Sequence, residues 1–189
     1  GYSASSPIII TGAITHTQAT NLNAVDATYI QATISQTTAA NLGAISVDNS
    51  TRASLNKFSV VVSDTSATAA ELNAVSAITS VAADFSNITA IEASPSSAVT
   101  TLYTATTTGL GNETISVNDT TLNAATLNAI NGYTTGTVTI TATSLAGNAA
   151  DLLTAVKNTG NGVTGVDVPV TVTGTGSVDA GTLALLVDE

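Results

Sequence analysis

Thr68-Ala69-Ala70-Glu71-Leu72-Asn73-Ala74-Val75 is the stretch on which the reading of the chain turns. A hydroxyl at Thr68 followed three residues later by the Glu71 carboxylate is a capping-box arrangement, in which each side chain satisfies a backbone amide that the start of a helix leaves unpaired. Leu72 and Val75 then share a face at i, i+3, with Ala69 one turn earlier. Ala is the best helix former, and its small size lets a helix approach its neighbour closely. The stretch predicts a short helix with one apolar stripe.

The phrase recurs as Asn21-Leu22-Asn23-Ala24-Val25, Asn41-Leu42-Gly43-Ala44-Ile45 and Thr126-Leu127-Asn128-Ala129-Ile130. Looser copies are Thr101-Leu102-Tyr103-Thr104-Ala105, Asp151-Leu152-Leu153-Thr154-Ala155 and Thr182-Leu183-Ala184-Leu185-Leu186. The helical anchors are therefore Leu22, Leu42, Leu72, Leu102, Leu127, Leu152 and Leu183, spaced by 20, 30, 30, 25, 25 and 31 residues, a mean of about 27. Asn or Gly often follows, as at Asn131-Gly132 and Asn158-Thr159-Gly160, consistent with a left-handed helix stop.

Between these phrases lie runs of period two. In Thr137-Val138-Thr139-Ile140-Thr141-Ala142-Thr143 four threonines point one way and the apolar residues the other, a β-branched strand pattern. Similar runs are Ile30-Gln31-Ala32-Thr33-Ile34-Ser35, Phe58-Ser59-Val60-Val61-Val62-Ser63, Thr114-Ile115-Ser116-Val117 and Val168-Pro169-Val170-Thr171-Val172-Thr173, with a less regular one at Ile88-Thr89-Ala90-Ile91. Pro169 marks a bulge or an edge. A unit of short helix, turn, strand and turn cannot bury its apolar face alone, whereas stacked units can. The expected architecture over residues 1–189 is a single repeat array, an α/β solenoid of about six turns with its strands in a parallel sheet. At a strand spacing of about 4.8 Å this is a rod of roughly 30 Å. An extra loop is expected around Asp48-Asn49-Ser50-Thr51-Arg52. An all-β antiparallel sandwich is the alternative; it accounts for the strands but not for the Ala-rich phrase.

Composition points the same way. The chain has 189 residues, of which 36 are Thr, 31 Ala and 19 Ser, while aromatics are 3 % and Cys, Met and Trp are absent. Each buried Val, Leu or Ile contributes roughly 1.5–3 kcal/mol, so a thin core repeated along an axis suits this composition better than one thick core. Three basic residues (Arg52, Lys57, Lys157) against thirteen acids give a net charge of −10. That surface repels phosphate backbones and anionic membranes, which argues against nucleic-acid partners. The longest aliphatic runs, Ile8-Ile9-Ile10 and Val60-Val61-Val62, are far too short for a membrane span. Charged residues are only 8 % and mean hydropathy is positive, so the signature of disorder is missing. The absence of an initiator Met and of a basic, then apolar, leader suggests a piece of a longer chain.

Ser63-Asp64-Thr65-Ser66-Ala67-Thr68-Ala69-Ala70-Glu71-Leu72 and Gly147-Asn148-Ala149-Ala150-Asp151-Leu152, each paired with a Thr/Val strand, resemble repeats of very large secreted bacterial proteins. These are the surface-layer proteins, haemolysin-like exoproteins and giant adhesins of cyanobacteria and proteobacteria. The resemblance covers most of the chain and is compositional. It implies an extracellular, cell-surface, cysteine-free and acidic structural segment; the glycine-rich calcium nonapeptides frequent in that family have no tandem copies here.

Candidate chemistry is sparse. Gly162-Val163-Thr164-Gly165-Val166-Asp167 keeps part of the calcium β-roll pattern, with Asp167 as the metal candidate, but calcium needs six or more oxygens and hence several such turns. A glycine-rich turn is the plainer reading, and Asp64, Asp84, Asp119 and Asp179 are expected to cap helices. Gly160-Asn161-Gly162-Val163-Thr164-Gly165 matches the dinucleotide fingerprint in letters only, because a helix precedes it and a strand follows. His16 stands alone, and no nucleophile with a base and an orienting acid is assembled around it in sequence. The outward threonines Thr137, Thr139, Thr141, Thr143, Thr171 and Thr173, with Thr175, form the one candidate binding face, a hydroxyl-and-methyl array of the kind ice-binding solenoids display. Gln31, Ser35, Ser59 and Ser116 break its regularity. Four Asn-x-Ser/Thr sequons, at Asn49, Asn87, Asn112 and Asn118, are what this composition gives by chance.

The expectation is a non-enzymatic extracellular scaffold with no cofactor, a segment of a surface-layer, fibre or matrix protein whose partners are neighbouring repeats or copies of itself. An adhesive or ice-binding module, contacting surface glycans or ice, is the alternative, and a phage fibre segment the third reading.

Overall fold

The computed structural model describes residues 6–23, 25, 27–45, 56–158 and 162–173. The expected anchor Leu183, the loop at 48–52, Thr175 and Asp179 lie outside the described residues. In chain order the elements are β1 (Ile8–Ile14), α1 (His16–Asn23), β2 (Ile30–Ile34), α2 (Ala39–Gly43), β3 (Lys57–Ser59), β4 (Ser66–Thr68), α3 (Ala69–Ala77), β5 (Ala83–Asp84), β6 (Ala90–Ser94) and α4 (Ser96–Thr104). There follow β7 (Thr107–Thr108), β8 (Thr114–Val117), β9 (Thr121–Asn123), α5 (Ala124–Asn131), β10 (Val138–Ile140), β11 (Ser144–Gly147), α6 (Ala149–Lys157), β12 (Val163–Thr164) and β13 (Val170–Val172). The fold is mixed α/β, with six helices among the described residues and parallel strands in several sheets, not an antiparallel sandwich.

The chain divides into two compact units, Gly1–Ile88 with Thr101–Leu110, and Thr89–Thr100 with Gly111–Glu189. In the first, β1, β2 and β3 form a parallel sheet in that order, with Ile8 opposite Ile30 and Ala32 opposite Phe58. The two strands β5 and β7 pair in parallel, Ala83 opposite Thr107. The expected strand at 58–63 is shorter than its apolar run: β3 stops at Ser59, and single parallel bridges then tie Val61 to Asp84 and Val62 to Thr37. Both phenylalanines of the chain, Phe58 and Phe85, are fully buried here and supply the bulk that Ala and Thr cannot.

In the second unit two parallel ladders run side by side in sequence. Ile91, Ile115, Val138 and Val163 stand in register along β6, β8, β10 and β12 and are all buried. Leu122, Leu145 and Val170 form a second column along β9, β11 and β13. The long run at 137–143 is therefore split. Strand β10 ends at Ile140, and a separate strand, β11, begins at Ser144.

Five of the Leu anchors, Leu42, Leu72, Leu102, Leu127 and Leu152, are completely buried, while Leu22 on α1 is half-buried. The capping box at Thr68 and Glu71 is formed as its spacing predicts: Thr68 Oγ1 accepts from the Glu71 amide, and Glu71 Oε2 accepts from the Thr68 amide at 2.9 Å. The expected left-handed stops are absent at the ends of α5 and α6: Gly132 and Asn158 keep right-handed backbone, with φ of −77° and −75°, and bond back to carbonyls of the last turn. α2 packs on α3 and α5 on α6. Small residues make this possible, since a Cβ added to Gly43 would sit 3.1 Å from the Ala74 Cβ.

Candidate functional site

The six threonines of the candidate face are all exposed, but the backbone distributes them over three settings. Thr137 and Thr139 belong to or flank β10. Thr139 aligns with Ser116 and Thr164, a column of three hydroxyl side chains across β8, β10 and β12. Within it Thr164 Oγ1 donates to Thr139 Oγ1 at 3.1 Å, so part of its hydrogen-bonding capacity is spent inside the column.

Thr141 and Thr143 follow the end of β10 and serve the turn. Thr141 directs both its amide and its hydroxyl to the Val117 carbonyl, and Thr143 does the same to Thr120. Thr171 lies on β13, and Thr173 just beyond it donates its amide to the Gly147 carbonyl at 2.7 Å. The face is thus one short hydroxyl column plus turn residues that tie one repeat to the next.

Asp167 is exposed after β12, between Gly165, whose φ of 85° is one only glycine adopts freely, and β13. Among the described residues no three His, Cys, Asp or Glu side chains gather in a metal-holding group. The glycine fingerprint lies partly outside the described residues; the rest of it is β12, preceded by α6, the reverse of what a dinucleotide requires. His16 opens α1 with its ring 3.4 Å from the Thr17 hydroxyl. A shallow depression of about 270 Å³ on the first unit is bordered by Gln31, Thr33, Ser59 and Lys57, whose ammonium sits 4.3 Å over the Tyr29 ring.

The side chains with the most defined roles are ones that join repeats. Asp64 Oδ2 accepts the Ala39 amide at 2.6 Å, and Asp119 accepts the Ser96 amide at 2.6 Å and its hydroxyl at 3.0 Å. Each carboxylate caps the helix one repeat earlier. For α4 this replaces the cap that Pro95, the preceding residue, has no side-chain oxygen to provide.

Buried threonines occupy the corners. Thr79 Oγ1 donates to the Phe58 carbonyl at 2.7 Å and accepts from the Val81 amide, and Thr134 Oγ1 donates to the Glu113 carbonyl at 2.6 Å and accepts from the Gly136 amide. The Glu113 side chain is itself buried, with Oε2 held by the Gly111 and Asn112 amides and Oε1 without a partner.

Of the aspartates expected to cap, Asp64 and Asp119 do so, but on the previous helix, whereas Asp84 on β5 accepts the Ser86 amide two residues on. The available signal was the alignment of Asp64-Thr65-Ser66-Ala67-Thr68-Ala69-Ala70 with Asp119-Thr120-Thr121-Leu122-Asn123-Ala124-Ala125, which keeps the acid at one fixed distance before the Ala pair.

The chain matches no known protein family, no curated protein and no solved structure. No helix among the described residues is long and apolar enough to cross a membrane.

Proposed function

We propose that the chain is a non-enzymatic structural segment of an extracellular, bacterial surface-layer, fibre or matrix-type protein, built as an α/β solenoid. The observation that carries this reading is the constancy of strand pairing: every parallel partnership described within the two units joins residues 20 to 26 apart, one repeat, from Ile8 with Ile30 to Leu145 with Val170. A chain whose strands pair one repeat apart uses side chains to hold the preceding repeat, as Asp64, Asp119, Thr79 and Thr134 do. The cysteine-free, acidic composition with three basic residues suits a protein exposed outside the cell, where oxidants and trypsin-like proteases act.

The hydroxyl face supports an adhesive or ice-binding role less well, because Thr139, Thr141, Thr143 and Thr164 bond to one another or to backbone carbonyls. Engineered cysteine pairs test the one-repeat pairing on which the proposal rests. Thr139→Cys with Thr164→Cys, which face each other across β10 and β12 with their hydroxyls 3.1 Å apart, should form a disulfide on oxidation, and Thr139→Cys with Thr171→Cys, which lie on different ladders, should not; failure of the first pair overturns it.

A further inference from the structure

Helix α5 ends on Asn131-Gly132, a pair whose backbone can attack its own side chain, because glycine adds no Cβ to shield the nitrogen that follows the asparagine. The reaction needs only the chain and water. The Gly132 nitrogen, having lost its proton, adds to the side-chain carbonyl carbon of Asn131. The new N–C bond closes a cyclic imide, the C–N bond of the side-chain amide breaks, and that nitrogen takes a proton from water and leaves as ammonia. Water then opens the imide at either carbonyl. One opening gives aspartate, and the other gives isoaspartate, whose backbone runs through the former side chain.

The folded chain blocks each requirement. The Gly132 amide donates to the Asn128 carbonyl at 3.2 Å and to the Ala129 carbonyl at 3.0 Å, so two acceptors hold the proton that has to leave. Helical backbone at Asn131 turns the Gly132 nitrogen toward those carbonyls and away from the Asn131 side chain. That side chain abuts the next repeat: a Cβ placed on Gly162 would lie 3.2 Å from the Asn131 Oδ1. Asn131 is half-buried and Gly132 exposed, so water reaches the peptide once the last turn opens.

We propose that Asn131 is a self-modification site, held unreacted by the last turn of α5 and released to react with the Gly132 nitrogen when its repeat loosens. Helix ends are among the first parts of a fold to open. The product does not return to the starting structure. Aspartate puts a negative charge at a helix C-terminus, where the macrodipole is already negative. Isoaspartate lengthens the backbone by a carbon just before Tyr133 and Thr134, which bond back to the Ile130 and Glu113 carbonyls. A transient opening of α5 thereby becomes a permanent change at the join that Thr134 makes with the preceding repeat.

The test uses the full chain, aged at mildly alkaline pH and followed by peptide mapping in a mass spectrometer, with isoaspartate quantified separately. In unfolding urea, Asn131 and Asn161, the other asparagine followed by glycine, should both lose their amides, and Gly132→Ala should slow the loss at Asn131 alone. Without urea Asn131 should react at least about tenfold more slowly. Leu127 is buried on α5, so Leu127→Ala loosens the helix while leaving the reacting atoms in place. It should recover part of that difference, in step with faster hydrogen exchange at the Gly132 amide. Equal rates at Asn131 with and without urea overturn the proposal, as does an Asn131 that stays intact in urea. Faster exchange at Gly132 with no faster modification overturns it as well. If Leu127→Ala is unfolded, wild-type chain in steps of urea below the unfolding transition supplies the same comparison, with the same outcomes on either side.

Discussion

Asp119 and Ser96 are bonded across 23 residues of chain, the carboxylate taking the amide of Ser96 at 2.6 Å and its hydroxyl at 3.0 Å. The link is a helix cap supplied by the following repeat. Asp64 does the same for Ala39 on the first unit. Because cap removal costs about 0.5–2 kcal/mol, Asp119→Ala and Asp64→Ala should each lower stability by that amount in urea denaturation. Asn, which keeps an acceptor oxygen, should restore part of it. A change within a few tenths of a kcal/mol would mean that water replaces the carboxylate without loss.

The corner threonines are a second kind of join. Thr79 and Thr134 are buried, and each hydroxyl both donates to a carbonyl of the previous repeat and accepts an amide two residues on. Thr→Val preserves shape and strands both backbone groups. Each substitution should cost about 1–3 kcal/mol, with Thr→Ser costing less; thermal unfolding monitored by circular dichroism decides it.

The parts of the fold that were legible in the sequence are those with local causes. Thr68 and Glu71 satisfy each other within one turn, so their spacing alone specified the start of α3. The strand at 114–117 was readable because its alternation is unbroken. Short strands such as β5 and β7, two residues each, were not readable, since a two-residue strand carries no period. The division of the run at 137–143 was hidden because Thr141 and Thr143 look like strand residues and are turn residues through bonds to Val117 and Thr120. Of the candidate face, the exposure of its threonines was legible, but not what their hydroxyls bond to.

Glu71 predicts a pH dependence. Hydrogen bonds from the Thr68 amide and then the Thr68 hydroxyl hold its carboxyl below the usual 4.5, against a smaller opposing effect of burial. The unfolded chain therefore binds the proton more readily, and the contribution of the box is present above the usual value and lost as pH falls through the folded one. The stability difference between wild type and Glu71→Gln should shrink as pH is lowered below 4.5. Glu71 is exposed, so the effect is small, and a difference that is flat or growing on acidification would contradict it.

Gly136, like Gly165, marks a close backbone approach between repeats on the second unit. A Cβ there would lie 2.3 Å from the Glu113 carbonyl oxygen and 2.6 Å from its carbon. Backbone cannot rotate away as a side chain would, so Gly136→Ala must displace one repeat from the next. Overpacking typically costs about 1–3 kcal/mol. Gly12→Ala is the control, because nothing lies within 4 Å of a Cβ at that position. The melting temperature should fall for the first substitution and hold or rise for the second.

The Leu anchors give the strongest expectation, since they separate the repeat reading from a simple count of apolar residues. Leu127 is fully buried on α5, whereas Leu22 on α1 is only half-buried, although the two sit in the same phrase. Truncating a buried leucine removes its transfer energy and leaves a cavity that its neighbours refill only in part, at about 2–5 kcal/mol. Leu127→Ala should fall in that range and Leu22→Ala below it, because solvent already reaches the Leu22 side chain. If stability is a sum of repeats and nearest-neighbour interfaces, the loss at Leu127 should also be local. Amide exchange should then quicken most in α5 and in α6, which packs on it. Equal acceleration throughout the second unit would instead indicate one indivisible core, and the repeat would be a feature of the sequence without being a unit of stability.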